Sequence, residues 1–512
     1  MKIKQALKEQ IQSFSSNYAF KTRLNNQLDT KLMDGAYAKC RAMLIDLKSK
    51  NPDTKVIEFL TPEVLRTKMD FTLSYDKPAT TEELLNYVDK TMEFSVRSTH
   101  NHYLNSLFGG LNEAAIVGDY IASSLNGSIY TYEAAPVYTL MEEEMGKTFA
   151  ELLRMDMDAY DFMFCPGGSY ANLYGVIAAR QMAFPDFKQK GASHYAPMTI
   201  FTSDVSHYSI EKAAIMCGLG LDQVNKVATN SLGQMCPEAL EKAILQNKAE
   251  GKIAMMVNST VGTTVIGAVD PISEIDVICK KYGIWHHVDA CLGFGKIFLD
   301  EFHEANPTFK NIDSIACDPH KSFPIPLQCS VFMTKHDKIL AQNSTGAKYL
   351  FMKDKFLYNA NNLDRGDSSF QCGRHVDITK LWFFWKSQST KGVIDGVTET
   401  WNNAKYLAKL ADQHPNFELV LEPEWTNVSF YYIPDRFLNM ERTPEFYAEI
   451  AAICPKHKAE VILEGKLMSA YQIGDWGGKH YPNFWRPAIH YGKDKEDMEH
   501  VIHTLHKHGQ HL

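Results

Sequence analysis

The chain has 512 residues, 45% of them hydrophobic, and its 53 basic and 61 acidic side chains give a net charge of −8. That length buries a large core and divides into more than one domain, whereas mild acidity without a long basic run gives no footing for nucleic acid or an anionic membrane surface. No apolar run reaches the roughly 18 residues of a membrane span, and the start, Met1-Lys2-Ile3-Lys4-Gln5, lacks the apolar core of a signal peptide. A cytoplasmic location is expected. Ten cysteines, several inside apolar patterns (Cys217, Cys279, Cys329), read as reduced thiols, and no CxxC pair supports structural zinc.

Residues 1–100 are mainly helical in pattern, and Thr80-Thr81-Glu82-Glu83 marks a capped helix start. Between 101 and 385, strand-like runs alternate with helix-like ones. Met198 to Thr202 precedes a helix pattern from Ile210 to Leu219, Ile253 to Val257 precedes Ile272 to Tyr282, and Trp285 to Val288 follows. Alternation of this kind predicts a mostly parallel central sheet covered by helices on both faces. The polar segment from Tyr358 to Asp367 reads as a mobile loop. From 386 to 512, a long helix pattern (Asn402 to Gln413) precedes strand patterns at Phe417 to Leu421, Asn427 to Tyr432 and Leu467 to Gln472, which predicts a smaller α+β domain. His500, His503, His506, His508 and His511 lie irregularly on a last helical pattern, expected to be a solvated terminal helix rather than a metal site.

The chemistry concentrates in the large domain. Asp289 closes the apolar stretch Tyr282 to Val288 and is followed by small residues and glycines, so it stands at the carboxyl end of a buried strand, where α/β sheets collect ligands. Lys321 follows in Asp318-Pro319-His320-Lys321, before the strand-like run Gln328 to Met333. A lysine amine holds an aldehyde cofactor as a Schiff base, and a carboxylate keeps a pyridine nitrogen protonated so that the ring can accept electrons. The pair therefore points to pyridoxal 5′-phosphate. Cys165-Pro166-Gly167-Gly168-Ser169 places glycines and a serine N-cap before a helix pattern, an arrangement that suits a phosphate. His207, between a strand and a helix, is placed to stack on a ring, and Thr264, in a turn after a strand, to donate a hydrogen bond. Each residue alone has a structural explanation as a cap, turn former or solvated side chain.

Together with Asn126 to Val137, Ser206-His207-Tyr208-Ser209, Val288-Asp289-Ala290, Pro319-His320-Lys321, Pro326 to Ser330 and Gln371 to Asp377, these stretches resemble the group II amino-acid decarboxylases that use pyridoxal phosphate, in the glutamate and cysteine sulfinate decarboxylase branch. The resemblance implies the type I pyridoxal-phosphate fold, similar to that of aspartate aminotransferase, and a homodimer with shared active sites whose N-terminal segment wraps the partner. It implies Lys321 as the Schiff-base lysine, Asp289 on the pyridine nitrogen, His207 on the ring, Gly168, Ser169 and His320 around the phosphate, and Thr264 near the phenolic side. Tyr358 corresponds to the tyrosine of a catalytic loop that returns a proton to the substrate carbon in the partner's site. Arg486, in Phe484-Trp485-Arg486, corresponds to the arginine that binds a substrate carboxylate.

The reaction implied is α-decarboxylation of an acidic amino acid: glutamate, cysteine sulfinate or aspartate. The family's Phe-Asn-Gln-Leu is here Leu104-Asn105-Ser106-Leu107, followed by Phe108, a phenylalanine as in the cysteine sulfinate type. Asp318 stands where the family has asparagine, and Cys291-Leu292 where it has alanine and an aromatic residue. The alternatives are a decarboxylase of a non-acidic, for example aromatic, amino acid and a non-catalytic protein of the same fold. A dinucleotide oxidoreductase is disfavoured because no G-x-G-x-x-G follows a strand.

Overall fold

The computed structural model describes residues 29–155, 160–346, 349, 358 and 363–512. The described residues fall into two compact units, one of residues up to 54 together with 58–95 and one of 55–57 with 96–512. The first unit holds helices Thr30–Lys48, Pro62–Lys68 and Thr81–Phe94. Thr80 caps the last of these as expected: its hydroxyl accepts the Glu83 amide, and the Glu83 carboxylate accepts the Thr80 amide at 2.7 Å. Lys39 pairs with Asp89 at 2.8 Å between the first and last helices, an exposed contact of small energetic weight. Of the N-terminal segment expected to wrap a partner, residues 1–28 lie outside the described residues.

The second unit contains two sheets. Strand β1 (Tyr103–Leu104) belongs to the smaller one. The larger is built from β2 (Asp161–Cys165), β3 (Met198–Ser203), β4 (Val224–Val227), β5 (Ile253–Thr260), β6 (Trp285–Ala290), β7 (Ser314–Cys317) and β8 (Ser330–Thr334) in the order β2-β8-β7-β6-β5-β3-β4. Only β8 is antiparallel to its neighbours, so the sheet is mostly parallel. Strands β3 and β6 are buried along their whole length, which is why they read as apolar runs: helices cover both faces. The smaller sheet adds β9 (Phe417–Leu419), β10 (Phe430–Tyr432), β11 (Met468–Trp476) and β12 (Lys479–Arg486) in the order β1-β11-β12-β10-β9.

Several boundaries differ from the sequence reading. β5 and β6 run on past Val257 and Val288 to Thr260 and Ala290, so Asp289, at the carboxyl end of its strand as expected, is the penultimate residue of β6 and pairs with Thr260. The helix expected over Asn402 to Gln413 is the last third of Ile378–Gln413, interrupted at Ser389, where φ is 60°. Trp385 on its first part packs edge-on against Phe149 in the main core, while its last part carries Leu407 and Ala411 inward. The terminal helix Lys495–Gly509 is amphipathic rather than solvated: Met498, Val501, Ile502 and Leu505 are buried, His500 stacks on His102 at 3.6 Å, and His508 pairs with Glu464. Among the described residues, no helix is long and apolar enough to cross a membrane.

One family-like stretch, Gln371 to Asp377, turns out to fasten the core. Arg374, 3% exposed, forms a two-pronged ion pair with Glu142 of helix Pro136–Leu152, with Nη2 and Oε2 2.9 Å apart, and its carbonyl accepts the Ile129 amide. Removing one member of such a pair leaves a buried charge. Arg374→Met should therefore cost about 3–5 kcal/mol in urea unfolding, and the double change Arg374→Met/Glu142→Leu should restore much of it. Equal losses from the single and double variants would show that the charge itself is not what destabilises.

Candidate active site

Because β2, β3, β5, β6 and β7 run in one direction, their carboxyl ends share one edge of the sheet. The loops leaving them line a cavity of about 170 Å³: Gly168 and Ser169 follow β2, His207 follows β3, and Gly262 and Thr264 follow β5. Asp289 and Cys291 come from β6 and its exit, and Asp318, His320 and Lys321 from the turn after β7. The structure thus brings every cofactor-side residue expected from the sequence into one place.

Asp289 is 3% exposed, and its charge is met by specific donors: Oδ2 accepts Asn172 Nδ2 at 2.9 Å, and Oδ1 accepts the Cys291 amide at 3.0 Å. A chain of hydrogen bonds continues on both sides. Asn172 Nδ2 also donates to Ser209 Oγ (2.8 Å), and Ser209 lies 2.8 Å from His207 Nδ1, which also takes the Ser209 amide and so acts as acceptor. His207 therefore carries its hydrogen on Nε2. On the other side, Asn172 Oδ1 accepts His287 Nε2 at 3.0 Å. His287 Nδ1 meets Ser314 Oγ at 2.7 Å, and that oxygen accepts Trp285 Nε1 at 2.8 Å. Every hydrogen in this run has one acceptor, the two of the Asn172 amide going to Asp289 and Ser209, which fixes the direction of each bond. Burial pushes His287 down to about 4, against the pull of Asp289, so it stays neutral.

Helix Gly168–Ala183 begins one residue before the expected serine cap. Gly167, with φ at 100°, occupies the cap position, and Ser169 is the second helical residue. No side chain caps this end. Position 168 tolerates no side chain, since a Cβ there would collide with Cys291 Sγ and stand 2.7 Å from Asp318 Oδ2. Lys321 Nζ lies 2.9 Å from Asp318 Oδ2. Burial alone would lower its pKa, but Asp318, Cys291 and Asp289 together raise it above the ordinary lysine value. His320 Nδ1 meets the Cys329 carbonyl at 2.7 Å, which orients its ring. An amine, a deep carboxylate, an imidazole and an uncapped helix start are the four elements that a pyridine aldehyde with a phosphate tail requires.

The residues expected on the substrate side form a separate cluster at the smaller sheet. Tyr103 OH donates to Ser106 Oγ at 2.6 Å, Lys458 Nζ donates to Asn105 Oδ1 at 3.0 Å, and Phe108 packs near Tyr103 with ring centres 6.2 Å apart. Arg486 is 4% exposed, with Nε and Nη1 lacking hydrogen-bond partners, and burial pushes its pKa down to about 10. Gly110, two residues beyond Phe108, abuts Pro324 in the loop after Lys321, so the two clusters are joined by that segment. Tyr358 OH donates to Asp364 Oδ1 at 3.1 Å, and its ring packs on Tyr132, 4.8 Å away. Of its loop, residues 359–362 lie outside the described residues.

This sheet edge and its cavity define a pyridoxal-phosphate enzyme of type I fold, a large sheet domain followed by a C-terminal domain with strands. The chain belongs to the pyridoxal-dependent decarboxylase family, whose conserved domain matches residues 62–433, and is a carboxy-lyase. It is 37% identical to human cysteine sulfinic acid decarboxylase over 469 residues, which cover 91% of this chain and 93% of the relative. It is 36% identical to the glutamate decarboxylase of Drosophila melanogaster, over 90% of this chain and 89% of the relative. The crystal structure of mouse CSAD matches with a TM-score of 0.88 at 33% identity, covering 94% of this chain and 99% of that one. Tryptophan decarboxylase of Catharanthus roseus, 20% identical with a TM-score of 0.80, shares the fold.

Sequence reasoning missed Asn172, Ser209 and His287 as partners of the site, although Ser209 and His287 lie inside stretches that it singled out and Asn172 stands three residues beyond the glycine-rich one. It also missed Lys458, for which no motif gave a signal. The neutral buried histidines carry a measurable consequence. His287, His457 and His500 are each pushed to about 4 by burial, while the unfolded chain takes up their protons near pH 6.5. The folded state thus binds fewer protons in that window, and its stability is full above about pH 6.5 and falls as pH drops toward 4. Thermal unfolding across pH 4–7 should show this slope. His287→Gln, which keeps a donor toward Asn172, should flatten it by up to about 3 kcal/mol; an unchanged slope would mean that His287 does not titrate in this range.

Proposed function

We propose that this enzyme removes the α-carboxylate of an acidic L-amino acid, either glutamate, cysteine sulfinate or aspartate, as carbon dioxide and releases the corresponding amine. The observation that carries the choice of substrate is the buried guanidinium of Arg486 with two unpartnered N–H positions, beside the part-buried Lys458. Among the described residues, neither cation has a carboxylate within ion-pair distance, so a distal carboxylate or sulfinate supplies the missing charge. The acidic substrates named by the relatives agree with this. An aromatic substrate has only its α-carboxylate to offer the two cations.

When bound, pyridoxal 5′-phosphate supplies the electron sink for the pair left behind by carbon dioxide. Lys321 would hold the cofactor aldehyde through its amine. Asp289, fixed by Asn172 and the Cys291 amide, keeps a proton on the ring nitrogen, while His207 forms a wall of the ring site with Nδ1 held by Ser209. Gly168, Ser169 and His320, which line the cavity, would hold the phosphate, and Thr264 would donate a hydrogen bond on the phenolic side. Tyr358 OH returns a proton to the substrate carbon across the interface of a homodimer. The exposed apolar residues Val117, Tyr120 and Leu125 on helix Glu113–Leu125, with Val137 and Leu140 on the next helix, supply a surface for that association. Ten free thiols fit the reducing cytosol.

Purified enzyme with added cofactor, assayed for carbon dioxide and amine, should turn over at least one of the three acids and not an aromatic amino acid, and Lys321→Ala should abolish release. Arg486→Leu should raise KM for the acid by about 10- to 100-fold. Preference for an aromatic substrate would overturn the acidic reading, and no turnover of any substrate would favour a non-catalytic role. Tyr358→Phe should release carbon dioxide but lower the yield of amine per carbon dioxide below one. A stoichiometric yield in that variant would remove Tyr358 from the proton path.

A further inference from the structure

Asp318 is the charged group that the decarboxylation chemistry leaves unused. It is 1% exposed, lies in the wall of the cofactor cavity, and touches both features that a phosphorylated aldehyde must engage. Its Oδ2 takes Lys321 Nζ at 2.9 Å, and its Oδ1 takes the Ser330 hydroxyl at 2.5 Å. The same carboxylate stands against the first residue of helix Gly168–Ala183, where a Cβ on Gly168 would lie 2.7 and 2.9 Å from its two oxygens. An anion already sits at the positive end of the helix start expected to take the phosphate.

We propose that Asp318 is a built-in competitor of the cofactor, which keeps Lys321 as an ammonium and opposes the phosphate, so that loading of pyridoxal phosphate is weak and limited by loss of the lysine proton. This rests on Lys321 being the lysine that holds the cofactor. An ammonium nitrogen has no free pair: Lys321 must give its proton to solvent before that nitrogen can bond to the aldehyde carbon and water can leave. Asp318 disfavours that loss, because the proton keeps the two groups paired. Its own carboxyl is held below the usual range by Lys321, with His320 and Ser330 contributing, against the effect of burial. Asp289, Cys291 and His207 also face Lys321 from the other loops, and His320 Nε2 lies 3.9 Å from Asp318 Oδ2. Of these, Asp318 alone both bonds to the amine and abuts the phosphate cradle.

The test uses full-length enzyme stripped of cofactor and titrated with pyridoxal 5′-phosphate, read by equilibrium dialysis and by cofactor absorbance over time from pH 6 to 9. Asp318→Asn keeps the shape and the partners but not the charge. It should lower the cofactor Kd by about tenfold or more, and the rise of loading rate with pH should move to lower pH. A Kd that is unchanged or higher, or a pH profile that does not move, overturns the proposal. Should that variant fail to fold, Ser330→Ala leaves the carboxylate less neutralised and should weaken loading, so tighter loading there would equally overturn it. Lys321→Ala, run in parallel, separates the two readings. If it loads with the same absorbance as the parent, the assignment of Lys321 fails; if it loses that absorbance while Asp318→Asn behaves as the parent, only the role of Asp318 falls.

Discussion

Placing a carboxylate at the buried end of β6 is the constraint on which the rest of the site depends. Asp289 sits at 3% exposure in the middle of a seven-stranded sheet, where an ionised group without partners would be expelled or neutralised. Two donors meet it, and one of them, the Asn172 amide, is itself held in place by His287, Ser314 and Trp285. Because Asn172 also reaches Ser209, the same amide sets the tautomer of His207. The acid at the floor of the cavity and the imidazole on its wall are thus parts of one hydrogen-bonded run. The helix Gly168–Ala183 contributes both the Asn172 amide and, at its uncapped start, a wall of the cavity, which ties the two to the packing of a single helix.

The cavity is crowded with charge of both signs. Lys321 stands between Asp318 and Asp289, and these anions together outweigh the desolvation of its amine. Cys291 is part of the same packing: its sulfur presses on Gly168 so closely that a side chain there has no room. The departures from the family's motifs at 291 and 318 therefore touch the same residue, Gly168, the first of the cavity-lining helix. The substrate side is arranged in the opposite sense. Arg486 on β12 and Lys458 are close enough for the charge of one to disfavour that of the other, and no described carboxylate lies within ion-pair distance to balance them. Ser106, in place of a longer amide, accepts the Tyr103 hydroxyl.

Legibility followed the physics of each element. Long runs such as Met198–Ser203 and Trp285–Ala290 stood out because strands buried on both faces must be apolar throughout. Short strands such as Val224–Val227 and Ser314–Cys317 carry too few residues to show a period, and their existence rests on the ladders of their neighbours. The helix beginning at Ile378 was read as starting far later, since a polar interior stretch around Ser389 breaks its pattern while its ends are held by packing.

What the sequence determined by itself is the chemistry: an amine, a carboxylate, an imidazole and a glycine-rich helix start, each in a local pattern that fixes strand end, loop or cap. Such patterns are short in range, and so is the information they hold. Which groups meet was decided by tertiary structure. Asn172 and Asp289 are 117 positions apart, Lys458 and Asn105 are 353 apart, and nothing in either local sequence specifies its partner. The direction of the hydrogen bonds, the lone guanidinium of Arg486 and the pairing of Asp318 with Lys321 arise only when the sheet sets its carboxyl ends side by side and burial removes water as the alternative partner.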